Sequence, residues 1–112
     1  MTIKFCAAVF VAAMTLAAAP AFAVEVSGLA ASHDMRREGG RLCFADHFHY
    51  GSSAGQSSRK SAQVAAVGSW ASFVDFEYGP TWANFSKSSS KDVKCSTSPS
   101  GWGCEINARP CR

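Results

Sequence analysis

Residues 58–80 read SRKSAQVAAVGSWASFVDFEYGP, and this stretch decides the fold. Ala62, Ala66, Trp70 and Phe73 fall at i, i+4, i+8 and i+11, the spacing of one face of a 3.6-residue helix, and Val67 and Val74 widen that face. Ser57 or Ser58 supplies the hydroxyl that accepts from the free N–H groups of the first turn. Gly79 offers the left-handed position that closes a helix, and Pro80 cannot continue it. The pattern predicts a helix from about Arg59 to about Tyr78.

The segments on either side read as strands. In Arg41 to Tyr50, Leu42, Phe44, Phe48 and Tyr50 share one parity, and Cys43, Ala45, His47 and His49 share the other. Asp46 interrupts the run and marks a bulge or an end. Gly51 to Ser58 is a turn-rich connection into the helix. Beyond the helix, Trp82 to Ser88 fits a second strand or a short helical turn. Asp92 to Ser96 and Trp102 to Ala108 fit paired strands, with Ser98-Pro99-Ser100-Gly101 turning between them. The order strand, helix, strand, strand predicts an α+β fold, with one amphipathic helix packed on a small antiparallel sheet. Trp70, Phe73, Phe48, Phe44, Trp102 and Ile106 are the expected core.

Upstream, Lys4, an apolar run from Phe5 to Ala19 and the small-residue ending Ala21-Phe22-Ala23 have the layout of a secretory signal, with cleavage between Ala23 and Val24. The expected organisation is a signal peptide over 1–23, a flexible arm over 24–40 hinged at Gly39-Gly40, and a disulfide-stabilised domain over 41–112. Cleavage would leave 112 − 23 = 89 residues, a chain short enough that its core alone is marginal. Cys6 leaves with the signal, and Cys43, Cys95, Cys104 and Cys111 remain, an even number suited to two disulfides in an oxidising compartment. Cys95 and Cys104 lie on opposite arms of the expected hairpin, which leaves Cys43 for Cys111. Loop-closure entropy assigns about 2.5–3 kcal/mol to the short link and about 4 kcal/mol to the long one. A four-cysteine zinc site is disfavoured, because the intervening gaps of 51, 8 and 6 residues contain no C-x2–4-C knuckle.

Charge excludes more than it suggests. Without Lys4 the chain has ten Lys and Arg against eight Asp and Glu, and the basic residues are scattered, so nucleic acid is disfavoured as a partner. No later apolar run approaches the length of a membrane span. An envelope polymer or a protein is the expected kind of partner.

Three motifs invite chemistry. Gly51-Ser52-Ser53-Ala54-Gly55 matches G-x-S-x-G, but Gly55-Gln56-Ser57 delay the helix, and a nucleophile elbow needs a parallel sheet larger than this chain supplies. Asp46-His47-Phe48-His49-Tyr50 puts two imidazoles on one strand face, and His33-Asp34 would add ligands if the chain brought them near. Two such histidines would also serve as a general acid–base pair. Among the aromatic residues near the helix end, Tyr78 and Trp82 are the expected exposed ones and, with His47 and His49, form the candidate ligand surface. Asn84-Phe85-Ser86 matches a glycosylation acceptor; the short alanine-rich signal reads as bacterial, so the match is taken as chance.

His47-Phe48-His49-Tyr50-Gly51-Ser52-Ser53, Trp70, Tyr78-Gly79, Trp82, Cys95, Trp102-x-Cys104 and the ending Ala108-Arg109-Pro110-Cys111-Arg112 form an ordered set. Over 47–112 it resembles a group of small exported alphaproteobacterial proteins. The resemblance implies a bacterial, periplasmic or secreted location and brings no catalytic residue, cofactor or metal with it. The leading expectation is a non-enzymatic, disulfide-stapled binding or envelope-associated module. The alternative is a small metal-binding or catalytic protein built on His47 and His49.

Overall fold

A computed structural model of the chain describes Val26 and residues 28–112. The expected signal and Cys6 lie outside these residues. Strand β1 (Met35–Glu38) pairs antiparallel with β2 (Arg41–Phe44). Strand β3 (His49–Ser52), helix α1 (Arg59–Tyr78), β4 (Ser89–Ser98) and β5 (Gly101–Arg109) follow. The second sheet has the order β3-β5-β4 and is antiparallel throughout. The architecture is the expected α+β one, a helix on small antiparallel sheets, with both disulfides, Cys43–Cys111 and Cys95–Cys104.

Helix α1 keeps its expected bounds. Ser58 caps it: its hydroxyl accepts from the Ser61 N–H, and the Ser61 hydroxyl accepts in turn from the Ser58 N–H. Ala62, Ala66, Trp70 and Val74 make the buried face and pack on Cys104, Ile106 and Ala108 of β5. Trp70 donates its indole N–H to the Ala108 carbonyl at 3.4 Å. Helix and sheet approach closely at Gly51, where a Cβ would stand 2.4 Å from the Ala66 carbonyl oxygen and 2.6 Å from the Trp70 nitrogen.

Several expectations need correction. The stretch 24–40, expected as a loose arm, contains a 3-10 turn (Gly28–Ser32) and strand β1. Gly39-Gly40 is a tight hairpin turn rather than a hinge; Gly39 takes φ 62°, which glycine adopts without a Cβ clash. The expected strand over 41–50 is two strands, broken at the Asp46 bend, and each half belongs to a different sheet. Its alternation therefore fails: Cys43 and Phe44 are both buried, while Phe48 and Tyr50 are exposed. Phe73 is exposed as well, because the buried stripe runs through Val74 and the narrow sheet does not reach round to it. Of the two readings of Trp82 to Ser88, the helical turn holds: 3-10 turns span Pro80–Trp82 and Phe85–Lys87, the second capped by the Asn84 side chain. Trp82, expected at the surface, is buried and stacked on Phe44 with centroids 4.7 Å apart.

The two sheets are joined at Arg109, which is 3% exposed. Its guanidinium donates to both Glu38 carboxylate oxygens, at 2.7 and 2.6 Å, and to the Phe44 carbonyl at 2.6 Å. It donates also to the hydroxyls of Ser89 and Ser90, on the β4 bulge where Ser90 has φ 53°. The tail beyond β5 then pairs with β2, as Leu42 and Arg112 exchange two backbone hydrogen bonds of 2.9 Å. Cys43–Cys111 locks that pairing.

Two outcomes follow from this packing. Gly51→Ala forces the helix off the strand and should cost about 1–3 kcal/mol in a chemical melt. Glu38→Ala leaves Arg109 buried without its carboxylate and should cost about 3 kcal/mol at neutral pH. The Arg109 guanidinium holds the Glu38 carboxyl at about 2, against an ordinary 4.5. A depressed carboxyl stabilises the fold above its unfolded pKa and loses that contribution as pH falls towards its folded one. The stability gap between the native chain and Glu38→Ala should hold above pH 4.5 and narrow towards pH 2.

Candidate metal centre

Three separate segments meet at the C-terminal end of α1. His33 follows the first 3-10 turn, His47 lies in the link between β2 and β3, His49 opens β3, and Glu77 and Tyr78 form the last turn of the helix. The Asp46 bend sends the chain from one sheet to the other, and this brings His47 and His49 up against the helix end. The rings of His33 and His47 stack with centroids 4.3 Å apart, and His33 packs edge-on to Phe44 at 5.1 Å.

The Nε2 atoms converge. His47 Nε2 lies 3.2 Å from His49 Nε2 and 2.9 Å from the Tyr78 hydroxyl. The Tyr78 hydroxyl is 3.1 Å from His33 Nε2 and 3.4 Å from His49 Nε2. Glu77 Oε2 lies 3.1 Å from His49 Nε2. One ligand atom from each of His47, His49 and Glu77 falls within 4.8 Å of the other two.

Hydrogen bonding cannot use all of these approaches. A ring nitrogen has a single in-plane position, filled either by a lone pair or by a proton. His49 Nε2 nevertheless has three polar neighbours within 3.4 Å. If it donates to Glu77, its approaches to His47 and Tyr78 go without a proton from it. His47 Nε2 likewise has two neighbours for one position. Each nitrogen therefore serves one of these approaches at a time, and the ligand atoms of His47, His49 and Glu77 lie close enough together to hold one cation.

The electrostatics suit neutral ligands. Burial pushes the His47 imidazole below its ordinary range, assisted by the neighbouring His33 and His49. Burial pushes His49 down too, against an opposing pull from the Glu77 carboxylate. Imidazole must be neutral to bind a metal, so both shifts reduce competition from protons. Burial and the adjacent Glu77 raise the Tyr78 phenol to about 12, so without a cation it holds its proton at neutral pH.

Of the expected ligand surface, His47, His49 and Tyr78 come together and Trp82 does not; it fills the core beneath them. His33 joins through Tyr78, and Asp34 lines an adjoining polar pocket of about 280 Å³ with Ser32, His33, Asp46 and His47. Glu77 was missed from sequence. Its signal was a broken local rule: Asp75 and Glu77 place negative charge in the last turn of α1, which holds no basic residue, although the helix dipole disfavours anions there. Ser53, the G-x-S-x-G serine, is structural: its hydroxyl donates to the Ala62 carbonyl at 2.5 Å and accepts from the Cys104 N–H at 3.1 Å.

No family model, curated protein or solved structure matches this chain.

Ser53→Ala removes both of these hydrogen bonds where helix meets sheet. It should lower stability by about 1–3 kcal/mol in a denaturant titration.

Proposed function

We propose that this chain is a transition-metal-binding module that works outside the cytoplasm, with His47, His49 and Glu77 as its ligand triad. The observation that carries this reading is the approach of three donor atoms to His49 Nε2, more than its one hydrogen-bonding position can serve. Two imidazoles and a carboxylate are a recurrent set for zinc and for other divalent transition ions. All four described cysteines are tied in disulfides, so the site offers nitrogen and oxygen donors and no thiolate. That favours borderline divalent ions over Cu(I).

The disulfides fit an oxidising location, and among the described residues no helix is long and apolar enough to cross a membrane. A binding role is favoured over serine hydrolysis because the Ser53 hydroxyl is occupied between helix and sheet.

Thermal melts with Zn(II) and with Cu(II) test the reading. An ion that binds only the folded chain at a hundredfold excess over its Kd contributes about 2.7 kcal/mol, which raises the midpoint of a domain this size by about 10–20 °C. His49→Ala should abolish the rise, and calorimetry should show affinity at least about 100-fold weaker. A midpoint unmoved by either ion at millimolar concentration would overturn the proposal.

A further inference from the structure

We propose that Tyr78 is an inner-sphere ligand of this centre, bound as the phenolate, and that the ion it completes is Cu(II). This rests on the metal-binding reading above and extends it in ligand set and in metal.

The geometry comes first. Ligand atoms bound at about 2.0–2.2 Å to one ion stand about 2.9–3.4 Å from their neighbours in tetrahedral or square arrangements. The Tyr78 oxygen is 2.9 Å from His47 Nε2 and 3.4 Å from His49 Nε2; these two nitrogens are 3.2 Å apart, and Glu77 Oε2 is 3.1 Å from His49 Nε2. These four of the six separations among the ligand atoms fall within the span of one coordination shell. Tyr78 and Glu77 are consecutive residues at the end of α1, and α1 is fixed against the sheet by Trp70 and by the close contact at Gly51.

Charge selects the ion. Two neutral imidazoles, one carboxylate and one phenolate carry −2 in total, which neutralises a divalent cation in a half-buried site and leaves no net charge to solvate. Among divalent first-row ions, a site of imidazole and anionic oxygen binds Cu(II) most tightly. An oxidising compartment, to which the disulfides point, keeps copper in that state.

The step balances without a redox partner. The phenol O–H bond breaks, the oxygen–copper bond forms, and the proton passes to solvent. Copper stays Cu(II) throughout. His33 Nε2, 3.1 Å from the hydroxyl, stays outside the shell as a positioning residue.

Titration of the full processed chain with Cu(II) alone tests this, read by visible absorption and calorimetry. A phenolate bound to Cu(II) gives a charge-transfer band in the visible that imidazole and carboxylate ligands do not. The expected result is such a band saturating at one equivalent, its loss in Tyr78→Phe, and retained Cu(II) binding by that variant with roughly 10–100-fold weaker affinity. Tyr50, the chain's other tyrosine, supplies the control: Tyr50→Phe should keep the band. Resonance Raman of the native chain provides a readout that needs no variant, since tyrosinate modes should be enhanced under the band.

Cu(II) bound without the band or those modes would overturn Tyr78 ligation and leave the triad standing. A band that survives Tyr78→Phe would overturn it too. Zn(II) binding more tightly than Cu(II) in direct competition would overturn the choice of ion. Failure of both ions to bind would remove the metal-binding reading itself.

Discussion

The Arg109–Glu38 ion pair is the constraint on which the rest of this structure depends. Among the described residues the chain builds two small antiparallel sheets, and the two-stranded one is marginal alone. Arg109 stands at the end of β5 in one of them and reaches Glu38 and the Phe44 carbonyl in the other. Placing a guanidinium at 3% exposure is costly unless its donors are matched. Here the carboxylate, a carbonyl and two serine hydroxyls on a bulged strand match them. The pair therefore acts mainly through specificity, because other arrangements of the two sheets would leave a buried charge unpaired.

The covalent links reinforce the same join. Cys43–Cys111 holds the tail against β2, beside the two backbone hydrogen bonds between Leu42 and Arg112. Cys95–Cys104 crosses the β4–β5 hairpin and fixes its register. Phe44 stacks on Trp82 between the sheets and completes an apolar floor.

The polar site stands on that floor. His33 lies two residues before the start of β1, so the pair that anchors β1 also holds His33 near Tyr78. His47 and His49 lie where the chain passes from one sheet to the other. Glu77 and Tyr78 come from the C-terminal turn of α1, where the exposed carbonyls already favour a cation. Side chains from three segments on a cross-linked frame are preorganised, so the proposed ion would have little chain ordering to offset. The acidic helix end, unfavourable by itself, is what the proposed cation would offset.

The sequence by itself determined the elements whose cause is local. Helix α1 was legible from Ser58 to Gly79 because capping, period and stop signals act within a few residues. The β4–β5 hairpin and the cysteine pairing were legible because a short turn dictates which residues face each other. Only the tertiary structure decided the rest. That 41–50 divides between two sheets depends on the tail at 110–112 pairing with β2, a contact between distant residues with no periodic trace. The buried stripe of α1 settled on Val74 rather than Phe73 because a narrow sheet, approached closely at Gly51, sets how much of the helix is covered. The site followed the same division: His47 and His49 were visible as a spaced pair, whereas Glu77 and His33 joined them only through packing. Spacing along a chain reports neighbours on one element, and coordination needs atoms that converge in space from several.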